Sequence, residues 1–199
     1  MKKTIYDFTY EQLNTWLMDK GEKSYRTKQI FQWLYRRRIT DFTMMSDIKQ
    51  SLIETFNEDF VIDPIKLKQR QASKDGTVKY LFELQDGFLV ETVLMQFDYG
   101  KSVCLSSQVG CNMGCTFCAS GLLKKNRDLS AGEMMAQVIY VQKELDAREE
   151  RVSHIVIMGT GEPFDNYDNV MDFLKTVNHD LGLAIGARHL SVSTCGIVP

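Results

Sequence analysis

The spacing of apolar residues changes twice along the chain, and these changes restrict the folds open to it. Apolar side chains recur at helical spacing over residues 9–60, whereas three segments between Ile65 and Phe97 alternate with a period of two. Beyond Lys101, predicted strands and helices alternate, which indicates parallel strands joined by right-handed crossovers. The sequence therefore predicts an α/β fold in which a small helical unit precedes a parallel sheet.

Local signals set the bounds of individual elements. Thr9 with Gln12, and Ser130 with Glu133, form capping-box patterns at the start of predicted helices, and Asp-Gly pairs mark two tight turns. The predicted helices cover residues 10–20, 25–38, 46–56, 131–147 and 167–178, and the predicted strands cover 66–71, 77–84, 88–97, 102–108, 154–159 and 189–196.

The chain divides into three parts on this pattern. We expect a helical domain over residues 1–62, connecting strands over 63–100 and the parallel α/β part over 101–199. Only about three parallel strands precede Pro199, so the last would be an open edge. We therefore expect the chain to lack part of its sheet.

Composition and charge narrow the functional classes. Of the 199 residues, 44% are hydrophobic and 25% are charged, which is ordinary for a globular protein. The sequence has neither a run of eighteen apolar residues nor a signal-peptide pattern, so we expect a cytoplasmic protein without membrane contact. The net charge of −2 gives no general argument for nucleic-acid binding, but seven basic residues and one acid lie between Lys20 and Arg38, a local charge of +6.

The basic run at residues 36–38 has two interpretations. It forms either a solvated end of the second helix or a contact with the phosphates of a polynucleotide. Trp16, Trp33 and Tyr35 lie in the same unit and are better suited to its core than to stacking against bases.

Three of the five cysteines are clustered in one glycine-containing loop. Cys111, Cys115 and Cys118 occur in "GCNMGCTFCASG", separated by three and then two residues. A structural zinc site requires four ligands, and this loop is one short. A [4Fe–4S] cube has four irons, so three thiolates would leave one iron open to bind another molecule. An iron–sulfur centre is favoured, with zinc, or buried cysteines without a role, as the alternatives.

The loop resembles the signature of radical S-adenosylmethionine (SAM) enzymes. In that signature a Cys-x3-Cys-x2-Cys loop follows the first barrel strand and an aromatic residue, here Phe117, precedes the last cysteine. "GTGEPFDN" resembles the glycine-glutamate-proline motif of the same superfamily. The resemblance implies a partial (β/α)6 barrel and a [4Fe–4S] cluster whose open iron binds SAM. Gly161 and Glu162 would then meet the ammonium group of SAM.

A narrower resemblance covers the chain from about residue 5 to its last residue. "ETVLMQF", "NRDLSAGEMMAQV" and "RHLSVSTCGIVP", behind a basic helical unit, are similar to the RlmN family of adenine-C2 RNA methyltransferases. The Cfr family, which methylates C8 of the same adenine, is closely related. Glu162-Pro163 resembles RlmN more than Cfr, where alanine is usual at the second position, and a Cfr-like C8 enzyme is the alternative.

The RlmN resemblance implies roles for three further residues. Glu91 matches the family's proton acceptor, Cys104 matches the cysteine that resolves the enzyme–RNA adduct, and Ser193 matches a serine that contacts SAM. Cys195 stands where the family commonly has serine, and we expect it to be a small buried replacement without a ligand role.

The resemblance also implies a reaction and its partners. One SAM methylates a carrier cysteine, a radical from a second SAM activates that methyl group, and the methylene adds to adenine C2 in 23S rRNA and in tRNA. Cys104 would then form a disulfide with the carrier. A low-potential electron donor such as flavodoxin and a monomeric state are implied too. The family's carrier lies beyond Pro199, so we expect the segment alone to bind a cluster without completing turnover. A zinc-dependent RNA-binding module is the alternative from outside enzymology.

Overall fold

The computed structural model describes residues 2–197. Met1, Val198 and Pro199 lie outside the described residues, so the end of the stretch that carries the family resemblance is not covered. The helices are α1 (Tyr10–Asp19), α2 (Tyr25–Phe31), α3 (Gln50–Asp59), α4 (Ala131–Asp146) and α5 (Tyr167–Asn178). The strands are β1 (Lys3–Thr4), β2 (Phe60–Val61), β3 (Ile65–Ala72), β4 (Val78–Leu84), β5 (Leu89–Phe97), β6 (Gly100–Leu105), β7 (Gln108–Val109), β8 (Arg127–Asp128), β9 (Val152–Ile157) and β10 (Leu190–Val192).

The first two helices follow their sequence signals. Thr9 and Gln12 form the predicted capping box of α1, and Gly21 ends that helix at a φ of +79°, a conformation that glycine adopts without strain. Beyond α2 the chain continues as a wider π-helical turn over Gln32–Arg36. The aromatic side chains of this turn, Trp33 and Tyr35, are buried as expected.

The third helix was predicted four residues too early. Sequence signals placed its start at Ser46, but α3 begins at Gln50. The Asp47 carboxylate accepts hydrogen bonds from the Trp33 indole, at 2.6 Å, and from the Gln29 amide, at 2.9 Å. These bonds from α2 and the turn after it hold the segment before Gln50 as a turn.

A six-stranded sheet, in the order β10-β9-β6-β5-β4-β3, forms the centre of the molecule. Strands β6, β9 and β10 are parallel, and β3 to β6 pair antiparallel, so the hairpin strands and the parallel strands belong to one sheet. Helix α4 covers one face, where the Thr92 hydroxyl donates to the Gln137 side chain at 2.7 Å. The predicted α/β fold with parallel strands is confirmed.

Strand β10 is shorter than predicted. It pairs with β9 over Leu190–Val192, whereas the alternating pattern extended to residue 196. Thr194 and Cys195 turn away from the strand because both bond the side chain of Glu162. Within the described residues β10 has one neighbouring strand, so it forms the expected open edge.

The helical unit is attached to α4 at both ends of that helix. At the amino end, the Asp7 carboxylate accepts a hydrogen bond from the backbone N–H of Gly132 at 2.9 Å. At the carboxyl end, the Arg38 guanidinium pairs with Asp146. Arg36 donates to the carbonyl of Asp180, which follows α5, at 2.5 Å. Arg36 and Arg38 therefore join two parts of the molecule, which neither interpretation of the basic run predicted.

None of the helices within residues 2–197 has both the length and the apolar character needed to cross a membrane.

Candidate functional site

The cysteine loop is closed at its base by a short antiparallel ladder. Strands β7 and β8 pair in register, and the Asn126 N–H donates to the carbonyl of Val109 at 2.8 Å. Gly110 has a φ of +75°, and a Cβ atom there would lie 2.1 Å from the carbonyl oxygen of Lys124. Only glycine fits where the outgoing and returning arms of the loop touch.

The three cysteines of this loop differ in exposure. Cys111 is buried, Cys115 is half-buried and Cys118 is exposed. The backbone N–H of Met113 points at the Cys111 sulfur, with an N···S distance of 3.4 Å. Hydrogen bonds from Ser120 lower the pKa of the Cys118 thiol, which favours the thiolate that metal centres require.

A second loop follows β9 and brings Glu162 towards the cysteines. A Cβ atom at Gly159 would lie 2.7 Å from the carbonyl oxygen of Leu105, so the turn packs against the end of β6. Both strands end on the same side of the sheet because they are parallel. Loops that follow the carboxyl ends of parallel strands are where α/β proteins bind ligands.

The Glu162 carboxylate is buried and accepts three hydrogen bonds. The donors are the Thr194 hydroxyl at 2.6 Å, the Cys195 N–H at 2.8 Å and the Phe164 N–H at 3.0 Å. Burial raises the pKa of Glu162, but these donors outweigh it and leave the pKa below its usual value. The side chain is thus held as an anion that can receive a cationic group.

The two loops and the end of β10 enclose one open cavity of about 220 Å³. Its lining includes Cys111, Cys115, Cys118, Gly161, Glu162, Ser193 and Cys195. The structure therefore brings together all the predicted metal ligands and all the predicted SAM-contacting residues.

The donor set of this cavity fits the group that the sequence implies. The three cysteine thiols and the ionised Glu162 carboxylate line the same cavity. An iron–sulfur cluster held by the thiols, with the amino acid group of SAM bound to its open iron, would need such an arrangement. Within residues 2–197, no three Cys, His, Asp or Glu side chains are arranged to hold a single metal ion.

Glu91 and Cys104 lie outside the cavity lining, on the sheet face opposite α4. Val93 pairs with Cys104, so Cys104 and Glu91 share that face. The Glu91 carboxylate is exposed and forms an ion pair with Lys79 at 2.9 Å. Cys104 is half-buried, and burial raises the pKa of its thiol although a hydrogen bond from the Met158 backbone opposes this. Met158 also lines the cavity, which places Cys104 beside it.

The expectation for Cys195 was wrong in one respect. The residue is exposed, not buried, and it lines the same cavity as the other three thiols. A hydrogen bond to Glu162 raises the pKa of the Cys195 thiol. The expectation followed from the serine that the family commonly has at this position, and the residue type alone does not reveal that the chain leaves β10 here to bond Glu162.

Several supporting residues had no signal in the sequence. Gln108 is completely buried beneath the cavity, and its side chain bonds the backbone of Glu162 and the carboxylates of Asp128 and Asp165. Lys125 bridges the same two carboxylates at 2.8 and 2.7 Å. Such a network depends on the meeting of distant segments, which spacing along the chain does not reveal.

Comparison with known proteins identifies the family of the chain. The family model of the ribosomal RNA large subunit methyltransferase N-terminal domain matches residues 3–62, and that of the radical SAM superfamily matches residues 105–199. Relatives from Streptococcus suis, Oceanobacillus iheyensis and Enterococcus faecalis each carry the name "Probable dual-specificity RNA methyltransferase RlmN". They are 59%, 58% and 58% identical to the chain over 201, 198 and 200 residues, which cover 100%, 98% and 100% of it.

These alignments cover 54%, 56% and 56% of the three relatives, so the chain spans about half of their length. A crystal structure of a radical SAM methyltransferase from Sphaerobacter thermophilus matches with a TM-score of 0.91 and 37% identity, over 99% of this chain and 58% of that one. That match confirms the predicted fold class, the first part of a radical SAM barrel behind a helical unit. With both family models matched along the chain, and identity near 60% to curated members, the chain belongs to the RlmN family of the radical SAM superfamily.

Proposed function

We propose that the protein, at the length of its relatives, is a radical SAM methyltransferase that forms 2-methyladenine in 23S rRNA and in tRNA. The observation that carries the proposal is the convergence of Cys111, Cys115, Cys118 and Glu162 on one cavity. The names of the relatives support an RNA methyltransferase. RNA of either kind implies a cytoplasmic setting.

Cys111, Cys115 and Cys118 would hold a [4Fe–4S] cluster, and Gly161, Glu162 and Ser193 would hold SAM. When bound, the cluster and SAM supply the one-electron chemistry that activates a methyl group for transfer to an electron-poor carbon. The chain contributes an ionised Glu162 to orient the SAM ammonium group by a charge-assisted hydrogen bond. Gly161 has a φ of +116° and allows this turn to approach Gln108.

Glu91 and Cys104 would act on the nucleobase. Glu91 is exposed on the open sheet face and would accept the proton lost from adenine C2. Cys104, protonated at rest because burial raises its pKa, would resolve the protein–RNA adduct by forming a disulfide with the carrier cysteine of the full-length protein. Both residues lie on one sheet face, which supports a shared substrate.

The helical domain, residues 1–62, would bind the RNA backbone, with residues 63–100 connecting it to the barrel part at 101–199. Lys23 and Lys28 are exposed there, and neither has an ion-pair partner within residues 2–197. They suit phosphate contacts that weaken with salt. Flavodoxin or a similar low-potential protein would supply electrons, and the protein would act as a monomer.

The test begins with anaerobic purification of the chain and reconstitution with iron and sulfide. We expect a brown protein whose visible absorption is lost in the Cys115→Ser variant and retained in Cys195→Ser. The protein at the length of its relatives is then incubated with SAM, a reductant and RNA, and modified adenines are identified by mass spectrometry. Methylation at C8 would assign a Cfr-like activity, and a colourless chain that retains zinc would contradict the proposal.

A further inference from the structure

Gln108 uses its whole side-chain amide to connect three segments around the cavity. Its carbonyl oxygen accepts the backbone N–H of Glu162 at 2.8 Å, and its amide nitrogen donates to Asp128 at 2.7 Å and to Asp165 at 3.0 Å. Gln108 itself begins the outgoing arm of the cysteine loop, and Asp128 ends the returning arm. The amide thus touches both arms of that loop and the turn that carries Glu162.

Steric and charge complementarity make this contact specific. A Cβ atom at Gly161 would lie 2.6 Å from the Cβ of Gln108, so the turn rests directly on this side chain. The Gln108 backbone N–H also donates to the carbonyl of Thr160 at 3.1 Å. Lys125 contacts both carboxylates but carries one positive charge against their two negative charges, and the Gln108 amide nitrogen donates to both as well.

We propose that Gln108 is a positioning residue that holds Glu162 in register with the cysteine loop. The inference rests on the proposed function, in which Glu162 binds the amino group of SAM and the cysteines hold the iron that SAM chelates. A ligand that must reach both partners at once requires a fixed distance between them, and the buried amide sets that distance. Gln108 would therefore govern SAM binding without touching SAM.

An amide is needed because Asp128 and Asp165 require a hydrogen-bond donor and the Glu162 N–H requires an acceptor. Glutamate in its place would present a third carboxylate to Asp128 and Asp165, and methionine would leave the Glu162 N–H without its acceptor. Both Gln108→Met and Gln108→Glu should let the two loops separate.

Gln142 offers a matched control. It is also buried, donates to the Asp146 carboxylate at 2.8 Å and to the Glu150 carbonyl at 3.1 Å, and accepts the Val152 N–H at 2.8 Å. It lies near the carboxyl end of α4, outside the cavity lining. Gln142→Met therefore removes a similar set of hydrogen bonds without altering the site.

The experiment uses the anaerobically reconstituted chain and measures iron content, the dissociation constant for SAM, the electron paramagnetic resonance spectrum of the reduced cluster with and without SAM, and Tm. We expect both Gln108 variants to keep iron, since all three cysteines remain, while their SAM affinity falls about tenfold or more and the SAM-induced spectral change is lost. Gln142→Met should lower Tm and leave SAM affinity unchanged.

Three results would overturn the inference while leaving the proposed function standing, and the first two concern SAM affinity. One is wild-type SAM affinity in both Gln108 variants, and the other is an equal loss of affinity in Gln142→Met. Loss of iron in the Gln108 variants would assign the residue to loop folding instead and would also contradict it. A wild-type chain that takes up no iron or binds no SAM would overturn the proposed function itself, together with this inference.

Discussion

The Arg38 guanidinium donates two hydrogen bonds to the carboxylate of Asp146, at 2.6 and 2.8 Å, and so ties the segment after the π-helical turn to α4. A third bond, at 2.9 Å, reaches the carbonyl of Tyr35. Arg38 has a φ of +48°, which a residue with a side chain rarely adopts without compensation. The fork geometry supplies that compensation, so we expect Arg38 to act within the molecule.

This ion pair should couple measurably in folding. For Arg38→Gln and Asp146→Asn, we expect a double-mutant cycle to give a coupling free energy of about 1 kcal/mol, the upper range for partly exposed pairs, because the contact is bidentate. Urea denaturation supplies the four free energies of unfolding. The pair Lys20–Asp59, separated by 3.7 Å on the surface, is the control and should couple near zero. Equal coupling in the two cycles would contradict a special role for Arg38.

Lysines that form no ion pair should contribute to RNA binding where Arg38 does not. We expect Lys23→Gln and Lys28→Gln each to reduce the slope of log affinity against log salt by about 1, since each lost phosphate contact releases about one fewer counterion. Fluorescence anisotropy with a labelled RNA hairpin over a salt series measures the slope. Arg38→Gln is the matched control and should leave the slope unchanged. A reduced slope in Arg38→Gln would show that Arg38 contacts the RNA.

Local signals predicted much of the fold because they depend on neighbours in sequence. The capping boxes at Thr9 and Ser130 and the period-two strands before Phe97 appear at their expected places. Helix α5 matches its predicted bounds, Tyr167–Asn178, residue for residue. The spacing of the cysteines was enough to predict a shared site, since close spacing in a loop already brings side chains together.

Features that depend on distant segments were missed. Asp47 delays the start of α3 through bonds to a helix earlier in the chain, and Glu162 ends β10 by attracting Thr194 and Cys195. Gln108 gives no local signal because its three partners lie 20 to 57 residues away. Spacing along the sequence cannot encode such contacts without knowledge of the sheet.

Gly110 should be more sensitive to substitution than another glycine of similar conformation. Gly110→Ala is strained by its positive φ, which costs about 1–2 kcal/mol, and its Cβ would also collide with the Lys124 carbonyl. Gly21→Ala has a similar φ of +79° but no atom within 4 Å of the new Cβ. We therefore expect Gly21→Ala to lose about 1 kcal/mol of unfolding free energy and Gly110→Ala to lose more and to take up less iron. Equal losses, with iron uptake intact, would show that the loop arms separate freely.

The ion pair between Glu144 and Arg70 should make the free energy of unfolding depend on pH under acidic conditions. A hydrogen bond from Arg70 lowers the pKa of Glu144, burial opposes this, and the Tyr80 hydroxyl adds a further bond at 3.0 Å. A depressed carboxyl pKa stabilises the fold above the unfolded pKa, about 4.3, and this stabilisation disappears as the pH falls through the lower folded value.

The difference in unfolding free energy between wild type and Glu144→Gln should therefore be constant from about pH 6 to pH 8 and shrink below about pH 4. Urea denaturation at each pH measures it. In an Arg70→Met background the main cause of the shift is removed, so the pH dependence of the difference should largely vanish. A difference that grows in acid would contradict the sign derived from the structure.

Glu162→Gln should weaken SAM binding without unfolding the site. Glutamine retains an acceptor for the Thr194 hydroxyl or the Cys195 N–H, but it cannot accept from both and lacks the negative charge that attracts an ammonium group. Hydrogen bonds to charged groups contribute about 1.5–3 kcal/mol, so we expect at least a tenfold rise in the dissociation constant for SAM, measured by equilibrium dialysis of the reconstituted chain.

Glu144→Gln also removes a bonded carboxylate, but one on α4 outside the cavity lining, and should leave SAM binding unchanged. Because the three cysteines remain, iron content should equal that of the wild type. Unchanged SAM affinity in Glu162→Gln would mean that the turn after β9 serves the fold alone and that the ammonium group is bound elsewhere.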